Sequence, residues 1–212
     1  MSVSKVQICN FALQEIGEES IISLSDNTVQ AQQCNLRYDS VRRAVLEDHP
    51  WNFALARASL ALTADTDVFG DFSNIFTLPS DCLRVIMTDR EAEITLGTDP
   101  LFNGYKTVGF STTYTGRDRY KIEGRNFYYD DDVAKVLYIK DLEDTTIFSP
   151  LFVEAFALLL SSRIAYKITG SRSLAMEKEQ AYTNLIKAAK LRDAQEGTTE
   201  RSESSRFLSV RF

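Results

Sequence analysis

Val6, Cys9, Ala12, Leu13 and Ile16 recur at helical spacing and Gly17 follows as a left-handed stop, which predicts a first helix from about Lys5 to Ile16. An apolar stripe of this kind needs a partner, and the next stretch supplies one. Ser25 or Asp26 can cap a second helix reaching about Asp48, with Val29, Cys34, Tyr38, Val41, Val45 and Leu46 near one face. Pro50 cannot continue that helix and pushes His49 out of helical conformation, so the chain turns there and Trp51 and Phe53 enter the core. Ala54 to Leu62 fits a short helix or an extended run equally well, and Thr63 to Ser73, rich in Asp, Thr and Gly, reads as a loop.

From Asn74 the pattern shifts to period two in short runs. Strands are predicted at Ile75–Leu78, Leu83–Met87, Glu91–Ile94, Tyr105–Phe110, Tyr120–Glu123, Asn126–Tyr129 and Lys135–Ile139. Gly124-Arg125 between two of these runs is the clearest hairpin signal in the chain. Helical spacing resumes at Ser149-Pro150, a cap followed by a residue suited to the first turn. Phe152, Val153, Phe156, Leu159, Leu160 and Ile164 then form a face broad enough to be buried on more than one side. After Thr169-Gly170, Ser173 can cap a last helix to about Gln195 lined by Leu174, Ala181, Leu185, Ala188 and Ala189.

The expected fold class is therefore α+β: an antiparallel helical bundle of N- and C-terminal helices (residues 1–62 and 149–195), an inserted β-rich domain (63–148) and an extended C-terminal tail (196–212). Glu196 to Arg206 is a polar linker, whereas Phe207, Leu208, Val210 and Phe212 place large apolar groups in strand-like alternation with Ser209 and Arg211. Two readings of that end stand side by side: addition as a strand to another protein's sheet, or folding back on its own domain.

With 212 residues, 44% of them hydrophobic and 25% charged, the chain can bury one good core or one core with an elaborate insert. The longest apolar helix candidate, Leu151 to Tyr166, is broken by Glu154 and Arg163, short of the roughly 20 apolar residues of a membrane span, and the N-terminal stretch lacks the pattern of a secretory signal. Folding in a cytoplasm is expected. A formal net charge of −6 argues against general affinity for nucleic acid. Its distribution is uneven: residues 1–150 hold 14 basic and 23 acidic side chains, residues 151–212 hold 10 and 7, so the C-terminal part suits an acidic partner surface.

Candidate chemistry is sparse. Cys9, Cys34 and Cys82 are odd in number and widely spaced, which fits reduced thiols better than a disulfide framework or zinc pair. The single imidazole, His49, lies between a helix end and Pro50 with no Gly-x-Ser-x-Gly elbow, and reads as a structural cap on that helix end. There is no Walker A pattern and no complete Gly-x-Gly-x-x-Gly. Asp130-Asp131-Asp132 could offer oxygen ligands to a hard cation but reads better as a solvated turn, and Arg37, Arg42 and Arg43 share their helix with Asp39, Glu47 and Asp48, which favours subunit contacts over nucleic acid. No catalytic, cofactor-binding or metal-ligating residue is assigned. The competing enzymatic reading, a tail-associated enzyme such as a cell-wall hydrolase, would use carboxylates near Asp130 to Asp132.

Several runs, in order, carry a likeness. They are Ile8-Cys9-Asn10, Ala12-Leu13, Ile16-Gly17 and Ile22-Ser23-Leu24; then Cys34, Tyr38-Asp39, Arg42 and Leu46; then His49-Pro50-Trp51-Asn52-Phe53-Ala54, the most specific; then Leu78-Pro79-Ser80-Asp81-Cys82-Leu83-Arg84-Val85 and Phe148-Ser149-Pro150-Leu151-Phe152. To about Leu191 the chain resembles the tail tubular protein A, or head-to-tail adaptor (connector), family of short-tailed bacteriophages. That resemblance implies a structural virion protein without an active site: a dodecameric ring between portal protein and tail nozzle protein, assembled in the host cytoplasm. DNA is ejected through its lumen without sequence-specific binding, and no membrane is engaged. An acidic lumen fits, because like charge lets DNA slide. In this frame Phe207, Leu208, Val210 and Phe212 are the expected portal-docking residues, and His49, Pro50, Trp51, Asn52 and Phe53 form a structural corner.

Overall fold

The structure is a computed structural model that describes residues 3–88 and 119–195. It is α+β, with four α-helices among the described residues: α1 (Lys5–Glu15), α2 (Val29–Glu47), α3 (Pro150–Thr169) and α4 (Arg172–Ala194). The strands are β1 (Leu55–Ser59), β2 (Ala61–Leu62), β3 (Asn74–Thr77), β4 (Cys82–Thr88), β5 (Lys121–Glu123), β6 (Asn126–Tyr129) and β7 (Lys135–Lys140). The strands expected at Glu91–Ile94 and Tyr105–Phe110, and the tail with Phe207, Leu208, Val210 and Phe212, lie outside the described residues.

The chain divides into two compact units, one comprising residues 1–56, 81–84 and 139–196, the other 57–80, 85–138 and 197–212. In the first, α3 packs against α1, α2 and α4. Its central place explains its sequence: Phe152, Val153, Ala155, Phe156, Leu159, Leu160, Ile164 and Ala165 are all buried, spread around the helix rather than along one stripe. Ser161 and Ser162 are buried as well, and each turns its hydroxyl back onto a carbonyl of its own helix, Leu158 and Leu159 respectively. Helix α3 starts at Ser149, whose Oγ accepts the Phe152 amide, with Pro150 in the first turn, and ends at Gly170 with φ +71°.

Helix α1 opens on a capping box between Ser4 and Gln7. It closes with paired bonds from the Gly17 amide to the Gln14 carbonyl and from the Glu18 amide to the Leu13 carbonyl, the geometry that Gly17 at φ +76° allows. The cap of α2 is Thr28, which accepts the Ala31 amide, and not Ser25 or Asp26. Asp26 is committed to the turn before it, taking the amides of Ile22 and Ser23. Helix α4 is capped by Ser171 rather than Ser173, because Ser171 follows Gly170 directly and reaches the Leu174 amide. Its inward face differs from the expected one: Ile186, Ala189 and Asp193 are buried while Ala188 is exposed.

In the second unit a four-stranded antiparallel sheet runs in the order β2–β3–β6–β5. The expected hairpin joins β5 to β6 with Glu123 opposite Asn126, and Gly124 at φ +61° makes the turn. Ile75, Phe76, Phe127 and Tyr129 supply its buried side chains. The span from Ala54 to Leu62, which fits helix and strand equally by sequence, is extended: only Ala54 belongs to the 3-10 turn Asn52–Ala54, and β1 and β2 follow. A further three-stranded sheet has the order β1–β7–β4.

Candidate functional site

His49 to Phe53 form a built corner in the first unit. The Trp51 amide bonds to the His49 carbonyl across Pro50, a tight three-residue turn suited to proline's fixed φ, and Asn52–Ala54 follow as a 3-10 turn. Trp51 is fully buried, and its indole N–H donates to the Val45 carbonyl at 2.9 Å. That carbonyl belongs to the last turn of α2, where no helical amide remains to bond it. The cap on this helix end is thus the indole of Trp51, not the imidazole of His49.

His49 reaches elsewhere. Its Nε2 lies 3.2 Å from Asp193 Oδ2 near the end of α4, and since a carboxylate only accepts, Nε2 carries the proton. Burial holds His49 below the ordinary histidine range, outweighing the upward pull of the Asp193 carboxylate. Asp193 itself is 7% exposed. It also accepts the Asn52 backbone amide on both oxygens at 3.2 Å, while the Asn52 side-chain amide donates to the Asp193 carbonyl at 2.6 Å. An acidic side chain near a helix C-terminus faces the unfavourable end of the dipole, so these donors are what hold it there. Asp48, just before the corner, accepts from Tyr182 Oη and Lys190 Nζ of the same helix.

The aromatic side chains of the corner meet those of Phe148-Ser149-Pro150-Leu151-Phe152. Phe152 stands edge-on to both Trp51 and Phe53 at 5.1 Å between centroids, and Phe148 lies 5.7 Å from Phe53 and 4.7 Å from Phe152. Two of the motifs that carry the family resemblance therefore pack on each other. Other motif residues are likewise committed to structure. Asn10 grips Ile21 through both its amide and its carbonyl, as a neighbouring strand would. In the second unit, the Arg125 guanidinium donates to the carbonyls of Leu78 and Pro79 and closes the turn that precedes β4.

Two charged residues of the first unit were not legible as anchors. Arg42, read as one of three surface arginines, is fully buried, with Nη1 donating to Asp141 Oδ1 and the Leu142 carbonyl; Arg43 pairs with the second oxygen of Asp141 at 2.8 Å. Asp193 is not among the residues that the sequence singles out. Their signal is one of position: Arg42 lies four residues from Tyr38 and from Leu46 on the inward face of α2, and Asp193 continues the Ile186, Ala189 stripe of α4.

Cys9 and Cys34 are buried against each other; the hydrogen bond with Cys34 and burial push the Cys9 thiol far above the ordinary range, which removes its nucleophilic form. Cys82 is part-buried. Asp130 accepts the Ser73 amide, and the Asp131 carbonyl accepts from Asn74. Among the described residues no group of His, Cys, Asp or Glu is arranged to hold a metal ion, and no helix is long and apolar enough to cross a membrane. A scan of the sequence against protein-family models gives no match, and no curated protein matches it.

Proposed function

We propose that this chain is a structural virion protein, a head-to-tail adaptor of the tail tubular protein A kind, that forms a ring between portal and tail nozzle through which DNA is ejected. The supporting observation is the meeting of His49-Pro50-Trp51-Asn52-Phe53 with Phe148-Ser149-Pro150-Leu151-Phe152 in one aromatic cluster. Motifs that resemble the adaptor family in order along the chain here form one piece of architecture, and the imidazole among them is spent on Asp193. In this reading the helices form an antiparallel bundle, the β-rich part is its insert, and residues 196–212 are an extended arm. Phe207, Leu208, Val210 and Phe212 of that arm dock on the portal. Twelve copies make the ring, whose acidic wall repels phosphate.

The test is assembly. Mixing the chain with its portal at micromolar concentration gives ring particles in negative-stain images, with a mass increment of twelve copies. No association at that concentration overturns the reading, whereas a monomer in the absence of portal does not, because the portal supplies the template. Removing residues 196–212 leaves the helical content intact and abolishes portal binding; unchanged binding removes the arm from the proposal.

A further inference from the structure

In the second unit, the loop after β2 is fixed by its own backbone. Asp67 accepts the amides of Phe69, Asp71 and Phe72 on its carboxylate, at 3.1, 2.8 and 3.0 Å, and Gly70 turns the chain at φ +69°. Phe72 is buried at the base, under the Arg119 guanidinium at 4.6 Å, and Arg119 also donates to the Asp71 carbonyl. What this scaffold displays is apolar: Val68 is 93% and Phe69 85% exposed. Large apolar side chains held outward on a preordered loop lose little freedom on contact, the condition that favours binding. The rim is net acidic: Asp65, Asp67 and Asp71 lie in the same stretch against one guanidinium, that of Arg119, while nearby Lys121 is paired with Glu123. Such a tip is repelled by phosphate-bearing surfaces and suits an apolar seat with a cationic edge.

The chain exposes side chains of that chemistry on either side of one turn. At the turn between α3 and α4, Tyr166 and Met176 are each 64% exposed, and exposed Lys167 and Arg172 flank them. No acidic residue occurs between Glu154 and Glu177; Arg163 is engaged with Glu179, and Glu177, next to Met176, lies 4.0 Å from Lys178, so Lys167 and Arg172 give the surface its net positive sign. We infer that the Val68-Phe69 tip of one copy docks on the Tyr166/Met176 seat of a second copy. Tip and seat are different surfaces, so the contact is head-to-tail and propagates into a ring or a filament. This deepens the adaptor reading and rests on it for the closure of the ring.

Charge reversal tests it. Sedimentation velocity of the full chain, from micromolar to submillimolar concentration at low salt, shows wild type gaining mass with concentration and losing it as salt rises. Asp65→Lys/Asp71→Lys places like charge against the seat, and Lys167→Glu/Arg172→Glu places like charge against the tip. Each variant alone associates at least about tenfold more weakly. An equimolar mixture of the two regains mass, because each then finds an opposite surface. Val68→Ser/Phe69→Ser is monomeric with an unchanged unfolding midpoint, which separates lost docking from lost folding. Wild type that stays monomeric throughout, charge variants that associate like wild type, or a mixture that stays monomeric each overturns the interface. Rings that form on the portal despite both charge variants would refute this contact and leave the adaptor reading standing; self-association through it with no response to the portal would do the reverse.

Discussion

Asp193 and Asp67 do the same chemistry in opposite settings. Each carboxylate gathers backbone amides: Asp193 takes that of Asn52, far away in sequence, and Asp67 takes those of Phe69, Asp71 and Phe72, its own neighbours. Asp193 is buried on a helix and joins two segments of the first unit, whereas Asp67 lies at the surface of the second unit and shapes one loop. A buried long-range anchor is bound up with global stability. A local one at the surface fixes a shape whose loss the rest of the unit can survive.

Removing the aromatic centre of the corner whose ends Asp193 holds is the harshest way to break this contrast. Trp51→Ala removes the buried indole beside Phe152 and frees the Val45 carbonyl, at an expected loss of about 3–5 kcal/mol in chemical denaturation. A loss below about 1 kcal/mol would show that the corner collapses around the gap and that the cluster is not its keystone.

Asp193→Ala comes next. It leaves the Asn52 amide and the His49 Nε2 proton without their acceptor in a part-buried site, and about 2–3 kcal/mol of stability should go with them. Asp193→Asn keeps one acceptor oxygen and recovers part of that loss. If both variants unfold at the wild-type denaturant midpoint, Asp193 is only tucked away and anchors nothing.

For Asp67→Ala the expected outcome is local. The unfolding midpoint hardly moves, but amide exchange at Phe69, Asp71 and Phe72 accelerates, because their acceptor is gone. The self-association proposed for the Val68-Phe69 tip weakens with it. Protected amides in the variant would mean that Gly70 and Arg119 suffice to hold the loop.

The same contrast explains what was legible in the sequence. Helix extents and the Gly124-Arg125 hairpin follow from periodicity and turn chemistry, both local, and the observed elements match them within a few residues. Capping residues were harder, since Ser25, Asp26, Thr28, Ser171 and Ser173 all have the right chemistry and only the neighbouring turn decides which carboxylate or hydroxyl is free. The roles of Arg42 and Asp193 are not legible because a polar residue on an inward face announces a partner without naming it: Asp141 for one, the His49–Asn52 segment for the other. His49 bonds Asp193 near the end of α4 and leaves the end of α2 to Trp51, a choice of partner that its place before Pro50 does not reveal.

The finest probe of the buried anchor is its pH dependence. His49 is held below its ordinary value of 6.5, chiefly by burial, with Asp193 pulling it back upward. In the unfolded chain the imidazole therefore binds its proton more readily than in the folded one, so acidification favours unfolding. The contribution is fully present above about pH 6.5 and is lost as pH falls through the lower folded value. Wild type should accordingly lose more stability between pH 7.5 and 5 than His49→Gln, and the His49 ring signals in NMR should titrate below 6.5. Titration above 6.5 would reverse the sign: the attraction of Asp193 would then exceed the cost of burial, protonation would strengthen the corner, and the variant would be the more acid-sensitive of the two.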